Sequence, residues 1–475
     1  MRRPARLVRR VLAVLALLVV GFAVLTPVGR YLSRAAWAEG KILARRRPIA
    51  RLIASPTTDA ITRAKLELVL AARTFAVESL GLAARGSFTT YSRLDSDTLV
   101  LVVSAAHRDR LTFHTWWFPI VGRVPYKGFF SPMDALAEAR RLEGDGMDTY
   151  VRAASAFSTL GWFNDPLVSS TLHEDSTSLA NTVMHELTHN TFFAPGQVVF
   201  NESFASFVGA HGAMWFFRVR GDTARLRESE NDWAREKVLG AFWDTTYRSL
   251  DSAFRAHPGG AGADARLVAR DTVFARARAR FAHDVLPRLP GVPPGTHVEL
   301  RLNNAIVLAR RVYRTGLDLF DSVLVREGGD LRRAIRRIIA LARSRPDDPY
   351  GAIRAWLASP AGPASTLSGA AAPGLPPGRA AEAPAQKGAQ IERRRGGAGR
   401  LDAGRGDGRG GHVLHAGAHA GVDEARELVD RVVGAPARTV AVERVQDGQM
   451  MPRAGHRHVH QPALFLRLLR GAQGA

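Results

Sequence analysis

Four residues in one stretch have the types and spacing for chemistry on a carbonyl group. In HELTHNTFFAPGQVVFNESFASF (185–207), His185 and His189 stand four apart, Glu186 follows the first histidine, and Glu202 comes 13 residues after the second. On a helix, residues four apart lie on one face, one turn apart, so both imidazoles can reach a single Zn²⁺. Glu186 is turned away from the metal axis but close to a water on the metal, where a general base is needed. Zinc lowers the pKa of its water to about 7, and the glutamate can take the proton as that water attacks a carbonyl.

A catalytic zinc takes three protein ligands and keeps a fourth position open. Glu202 is the best candidate for the third. It is expected to open a second helix after a reversing turn, with Ala205 small enough for close packing against the first. His211, nine residues further along the same predicted helix, points elsewhere, and Asp222 is more distant still. Residues 192–195 read FFAP, so the further histidine of an HExxHxxGxxH pattern is missing. The competing structural reading makes both histidines helix-surface or core residues and Glu202 a helix N-terminal charge favoured by the dipole.

The elements that must position these residues follow from patterning. Val183, Met184 and Leu187 give the first helix an apolar face, Asp175 and Ser176 offer its N-cap, and Pro195-Gly196 stop it. Upstream, 58–83 reads as a helix, SFTTYSRL and DTLVLVVSAA as strands, and HTWWFPIVGRVPYKGFF as a hairpin with Trp116 and Trp117 in the core. PMDALAEARRLEGDG is an amphipathic helix, MDTYVRAASAF a strand and STLGWFNDP a loop. From 177 onward the pattern predicts helices over 177–190, 201–219, 222–255, 265–286, 297–325 and 330–343. Strands first and helices afterwards describe an α+β domain.

The termini differ from this body. Residues 1–10 form a basic cytoplasmic flank, and 11–28 (VLAVLALLVVGFAVLTPV) is an uncharged run just long enough to span a bilayer. A signal peptide with Ala36-Trp37-Ala38 as its cleavage site is the alternative, but that site lies far beyond the apolar run. The expectation is an uncleaved single-pass anchor in the inner membrane, with a catalytic domain over 29–355 facing the periplasm or cell exterior. Beyond 356 the chain holds 20 of its 44 glycines and is expected to be a disordered tail. The tail's six histidines lack regular spacing. The net charge of +22 would suggest a polyanionic partner. The excess is nearly all arginine, scattered, with five lysines in the whole chain, and no aromatic–basic platform for bases is present, so nucleic-acid binding is not expected. There are no cysteines, which removes disulfides, thiolate metal sites and thiol nucleophiles.

HELTH followed by NESFASF resembles the gluzincins, zinc peptidases whose third ligand is a glutamate on the following helix. More closely, ILARRRPIARLIA, FAVESLGL, WWFPIVGRVPYKGFF, AFSTLGWFNDP and NNAIVLARRVY are similar to recurrent blocks of the bacterial putative-aminopeptidase family, over about residues 38 to 350. The resemblance implies a zincin-like fold, Zn²⁺ held by His185, His189 and Glu202, Glu186 as catalytic base, and a peptide or protein substrate. Two departures stand out: Ser206 occupies the position where thermolysin-like gluzincins carry an aspartate that orients a ligand histidine, and no GAMEN-type stretch holds a substrate's free amine. Ser158, Thr159 and Gly161 could line an edge that pairs with a peptide, or belong to a structural loop. Tyr313, in NNAIVLARRVY, is a candidate donor to an oxyanion, or a core residue on a long helix. Rival readings are a non-catalytic, membrane-anchored zinc-binding scaffold and an anionic-lipid binder acting through arginine-rich flanks.

Overall fold

The computed structural model describes residues 3–95, 100–118, 122–154, 164–293 and 295–360. All elements discussed below lie in one unit, which includes Met1–Ala358. Ser158, Thr159, Gly161 and the tail beyond 360 lie outside the described residues.

Among the described residues the fold is mostly helical with three small sheets, in keeping with an α+β class. The central strand of the main sheet, Val100–His107, pairs antiparallel with Tyr126–Phe129 on one side and Met147–Ala154 on the other. Arg47–Pro48, Thr90–Ser92 and Leu167–Val168 make a second sheet, and Trp116–Phe118 with Gly122–Val124 the expected hairpin. Of the paired tryptophans only Trp116 is buried, its Nε1 donating to Glu138 Oε1 at 2.8 Å; Trp117 is exposed.

Two helices form the hairpin that carries HELTH and NES. The first, Ser176–Thr191, starts where Asp175 accepts from the Ser178 backbone N–H at 2.8 Å. It ends at Phe192, whose backbone is already extended, and Gly196 (φ +75°) turns the chain. The second, Val198–Val219, begins three residues earlier than patterning predicted. Glu202 therefore sits more than a turn inside the helix, and its role is not that of an N-terminal charge. Asn201 sets the turn. Its Nδ2 donates to the Ala194 carbonyl and its Oδ1 accepts from the Ala194 N–H, both at 2.8 Å, with the side chain buried.

Small residues let the two helices approach. A Cβ on Gly209 would lie 2.3 Å from Asn181 Oδ1 and 3.2 Å from His185 Cβ, and one on Gly212 would lie 2.5 Å from Met184 Sδ. Behind the pair, Phe200, Phe204 and Phe207 meet the ring of Phe320 in a core shared with Leu66, Val69, Leu179, Val183 and Leu187. The supporting helix Ala60–Glu78 is capped by Asp59, which accepts from the Thr62 N–H at 2.8 Å.

Two predicted helices are broken. The single helix expected over 297–325 is two, Asn304–Arg311 and Leu317–Arg326, separated by a turn in which Gly316 adopts φ +67°. The 11–28 run is likewise not one helix. Arg3–Leu25 ends, Thr26 accepts from the Gly29 N–H at 2.8 Å, and Pro27 starts a new helix, Pro27–Ala44, bent by 96°. Among the described residues no single helix is long and apolar enough to cross a membrane; the bent pair passes that test only together. The second helix is tied to the main sheet by Tyr31, whose hydroxyl donates to the Gly128 carbonyl at 2.8 Å.

Asn201→Ala would strand a buried backbone N–H and C=O in the turn between the two site helices. The expected loss in chemical denaturation is about 2–4 kcal/mol; a change under about 0.5 kcal/mol, the ordinary surface value, would show that the turn does not depend on this side chain.

Candidate metal centre

The hairpin brings His185, His189 and Glu202 to one point. His185 Nε2 and His189 Nε2 are 3.1 Å apart, and each faces Glu202 Oε2, at 3.4 Å and 3.5 Å. A tetrahedral zinc with bonds of about 2.0–2.1 Å holds its donor atoms about 3.3 Å apart, so the three distances fit one ion. The donor set, two imidazoles and a carboxylate, suits a borderline-soft divalent metal.

All three side chains are buried, and Glu202 is completely so. Burial pushes the Glu202 carboxyl well above the ordinary range; repulsion from Glu186 adds to this and attraction from Arg152 opposes it. A carboxylate at such a place is costly unless it is paired or coordinates a cation, so the chemistry of the site, like its geometry, fits a metal ion.

Glu186, on the helix between the two histidines and buried, is close enough to Glu202 for mutual repulsion. A second buried carboxyl, Glu174, also faces it electrostatically. Burial raises Glu174 strongly, Thr182 donates to it at 3.1 Å, and Lys65 donates to its backbone carbonyl at 2.7 Å.

Tyr313 is not on a long helix. It lies in the turn between Asn304–Arg311 and Leu317–Arg326, buried, close enough to Glu202 and Glu186 to feel both charges. Burial is the main cause that raises its hydroxyl pKa. The turn is fastened by Ser203, the neighbour of Glu202: its Oγ donates to the Val312 carbonyl and accepts from the Thr315 N–H, each at 3.1 Å. The backbone groups released by the helix break are thus satisfied from the helix that carries Glu202.

The residues set aside in the sequence have other partners. His211 Nε2 is bound to Asp321 Oδ1 at 2.8 Å, in a cluster with Trp233 and Lys237. Asp222 caps its own helix through the Arg225 N–H at 3.1 Å. Ser206 donates to the Glu202 backbone carbonyl at 2.8 Å rather than to either histidine ring. His189 Nδ1 is buried without a hydrogen-bond partner among the described residues.

Sequence reasoning missed Arg152, on the strand Met147–Ala154. Its Nη2 donates to the Tyr313 hydroxyl at 3.4 Å, and its guanidinium carbon is 5.6 Å from that ring's centroid. The available signal was the alternation of Asp148, Tyr150 and Arg152 on one face of a buried strand. Asp148 Oδ2 accepts from the Asn304 N–H at 2.8 Å, Tyr150 lies under Arg310 at 5.3 Å, and Arg152 meets Tyr313. Four strand residues and nine helical ones both advance about 13 Å, so the strand grips the segment along its length.

A mostly helical α+β protein with a buried His-His-Glu group able to hold a metal ion is what fold and site define. The chain belongs to the putative aminopeptidase family, whose model matches residues 30–349, and that membership points to a peptidase. No curated protein and no solved structure matches it.

Glu202→Gln keeps the shape of the side chain but removes the anionic ligand. Elemental analysis of the dialysed variant is expected to give well under one metal ion per chain; a full complement would show that Glu202 is not a ligand.

Proposed function

We propose that the protein is a zinc-dependent peptidase of the gluzincin type, an aminopeptidase by its family. The observation that carries this reading is the convergence of His185, His189 and Glu202 donor atoms within 3.1–3.5 Å of one another beside the buried Glu186. Zinc, when bound by these three residues, supplies a Lewis acid that polarises the scissile carbonyl and acidifies the attacking water.

Glu186 takes the proton of the attacking water and delivers it to the leaving amine. Its buried place beside the two histidines, with the Glu174 and Glu202 carboxyls near enough to interact with it, supports that role. Tyr313 supplies a hydrogen bond to the developing oxyanion. Its oxygen accepts from Arg152 Nη2 at 3.4 Å, which orients the hydroxyl. Ser203 holds that turn in place from the helix of Glu202, so any shift of the ligand helix also moves the donor.

Residues 3–44 hold this body at a membrane, with the peptidase on the periplasmic or outer face. The exposed apolar side chains between Val11 and Leu25, on the first helix of the bent pair, support the attachment to a membrane.

Glu186→Gln is expected to retain its metal and lose at least about a hundredfold in kcat on peptides. Unchanged turnover in the metal-loaded variant would sink the mechanism. For the placement, the full chain should stay with the membrane pellet after alkaline carbonate extraction; its release into the supernatant would disprove an anchor.

A further inference from the structure

Beside the metal ligands lies a guanidinium whose surroundings do not account for it. Arg152 is 8% exposed. Of its five N–H donors, one bond reaches an acceptor, the Tyr313 hydroxyl at 3.4 Å. Its Nε and Nη1 are buried and meet no acceptor among the described residues, and no carboxylate lies within ion-pair distance of it there. Neighbouring arginines are treated differently: Arg314 pairs with Glu236 through Nε at 2.7 Å, and Arg311 with Asp244 at 3.0 Å.

The local charge balance sharpens this. Glu174 sits with Lys65, and Arg314 with Glu236. A divalent ion in the His185–His189–Glu202 site would match the charges of Glu186 and Glu202. The attraction that Glu202 exerts on Arg152 is then spent on the metal, and Arg152 remains as a buried positive charge. A buried charge without a partner is costly, and a planar guanidinium matches a carboxylate, the anionic group a peptide offers, through two parallel hydrogen bonds.

We propose that Arg152 receives a carboxylate of the peptide substrate, either its free C-terminus or an acidic side chain near the scissile bond, and so gives this enzyme a preference for anionic peptides. This rests on the peptidase reading above. Arg152 is then a substrate-binding residue. Its contact with Tyr313 places the bound carboxylate next to the group that faces the oxyanion. An uncharged substrate would leave the guanidinium buried and unpaired, and specificity follows from that penalty.

The test uses the full-length, zinc-loaded protein and two matched pairs of peptides. One pair is Ala-Phe-Ala-Ala as free acid and as C-terminal amide; the other is Ala-Phe-Glu-Ala amide against Ala-Phe-Gln-Ala amide. The wild type is expected to favour the carboxylate member of at least one pair by about tenfold or more in kcat/KM, mainly through KM. The pair that responds identifies the source of the carboxylate. Arg152→Gln should abolish that preference, lowering kcat/KM for the carboxylate member by about tenfold more than for its uncharged partner. Binding of the same pairs to zinc-loaded Glu186→Gln, followed by calorimetry, reads the preference without turnover. Equal treatment of both members in both pairs overturns the inference while leaving the peptidase reading intact. Equal loss on both members in Arg152→Gln, carried by kcat, also overturns it, since Arg152 would then act only by positioning Tyr313. If the wild type cleaves none of the peptides, the peptidase reading is what suffers, and the calorimetric preference alone decides for or against the carboxylate subsite. Should Arg152→Gln fail to fold, Arg152→Lys keeps the charge without the planar group, and an undiminished preference in that variant would count against recognition by the guanidinium's geometry.

Discussion

A carboxyl group excluded from water between two imidazoles is the feature on which the rest of the structure turns. Glu202 has no exposed surface, and burial pushes it towards its protonated form. Such a group is stable as an anion only beside a cation, and the two histidines facing it are 3.4 Å and 3.5 Å away through their Nε2 atoms. Holding three polar atoms this close inside an apolar interior needs two helices at a fixed distance and rotation. That requirement explains the glycines at the crossing, where added Cβ atoms would collide with Asn181 and Met184. It also explains Asn201, which spends both ends of its amide on one residue of the turn.

The same constraint extends outward. Ser203 follows Glu202 directly and therefore faces another side of the helix, where it collects the backbone groups of the turn bearing Tyr313. That turn is held from its other side by the strand Met147–Ala154 through Asp148, Tyr150 and Arg152. The small sheet thus does for Tyr313 what the helical hairpin does for the histidines. Helical and β parts meet at the site: the helical hairpin brings the two histidines and Glu202, the strand brings the cationic Arg152, and the turn between two later helices brings the phenol of Tyr313.

Legibility in the sequence was uneven for physical reasons. The helix Ser176–Thr191 could be read because its cap, its apolar spacing and its histidines all act within a few residues. The start of the next helix was placed three residues late because Val198 and Val199 resemble strand residues, and only packing of Phe200 against Phe320 and Tyr350 draws them into the helix. The long helix expected over 297–325 carried a glycine that patterning tolerates. What breaks it is a contact: Gly316 in a left-handed conformation lies against the ring of Tyr350. The apolar run at 11–28 hid a proline whose effect was underestimated; Thr26 and Pro27 together end one helix and begin another. Arg152 was passed over as a site residue because the alternation of Asp148, Tyr150 and Arg152 marks only one face of a strand, and what that face meets is set by packing.

By itself, the sequence determined which candidate donors could meet and in what order, since two histidines one helical turn apart and a glutamate across a short reversal already limit which atoms can converge. It also determined the helical character of the second half, which depends on local periodicity. Only the tertiary structure decided that Glu202 lies inside its helix rather than at the start, that Ser203 fastens the Tyr313 turn, and that Arg152 stands beside the carboxylate. The last two relations join residues 50 to 112 positions apart, and hydrogen bonds and charges over such separations follow from packing, which no local pattern in the chain records.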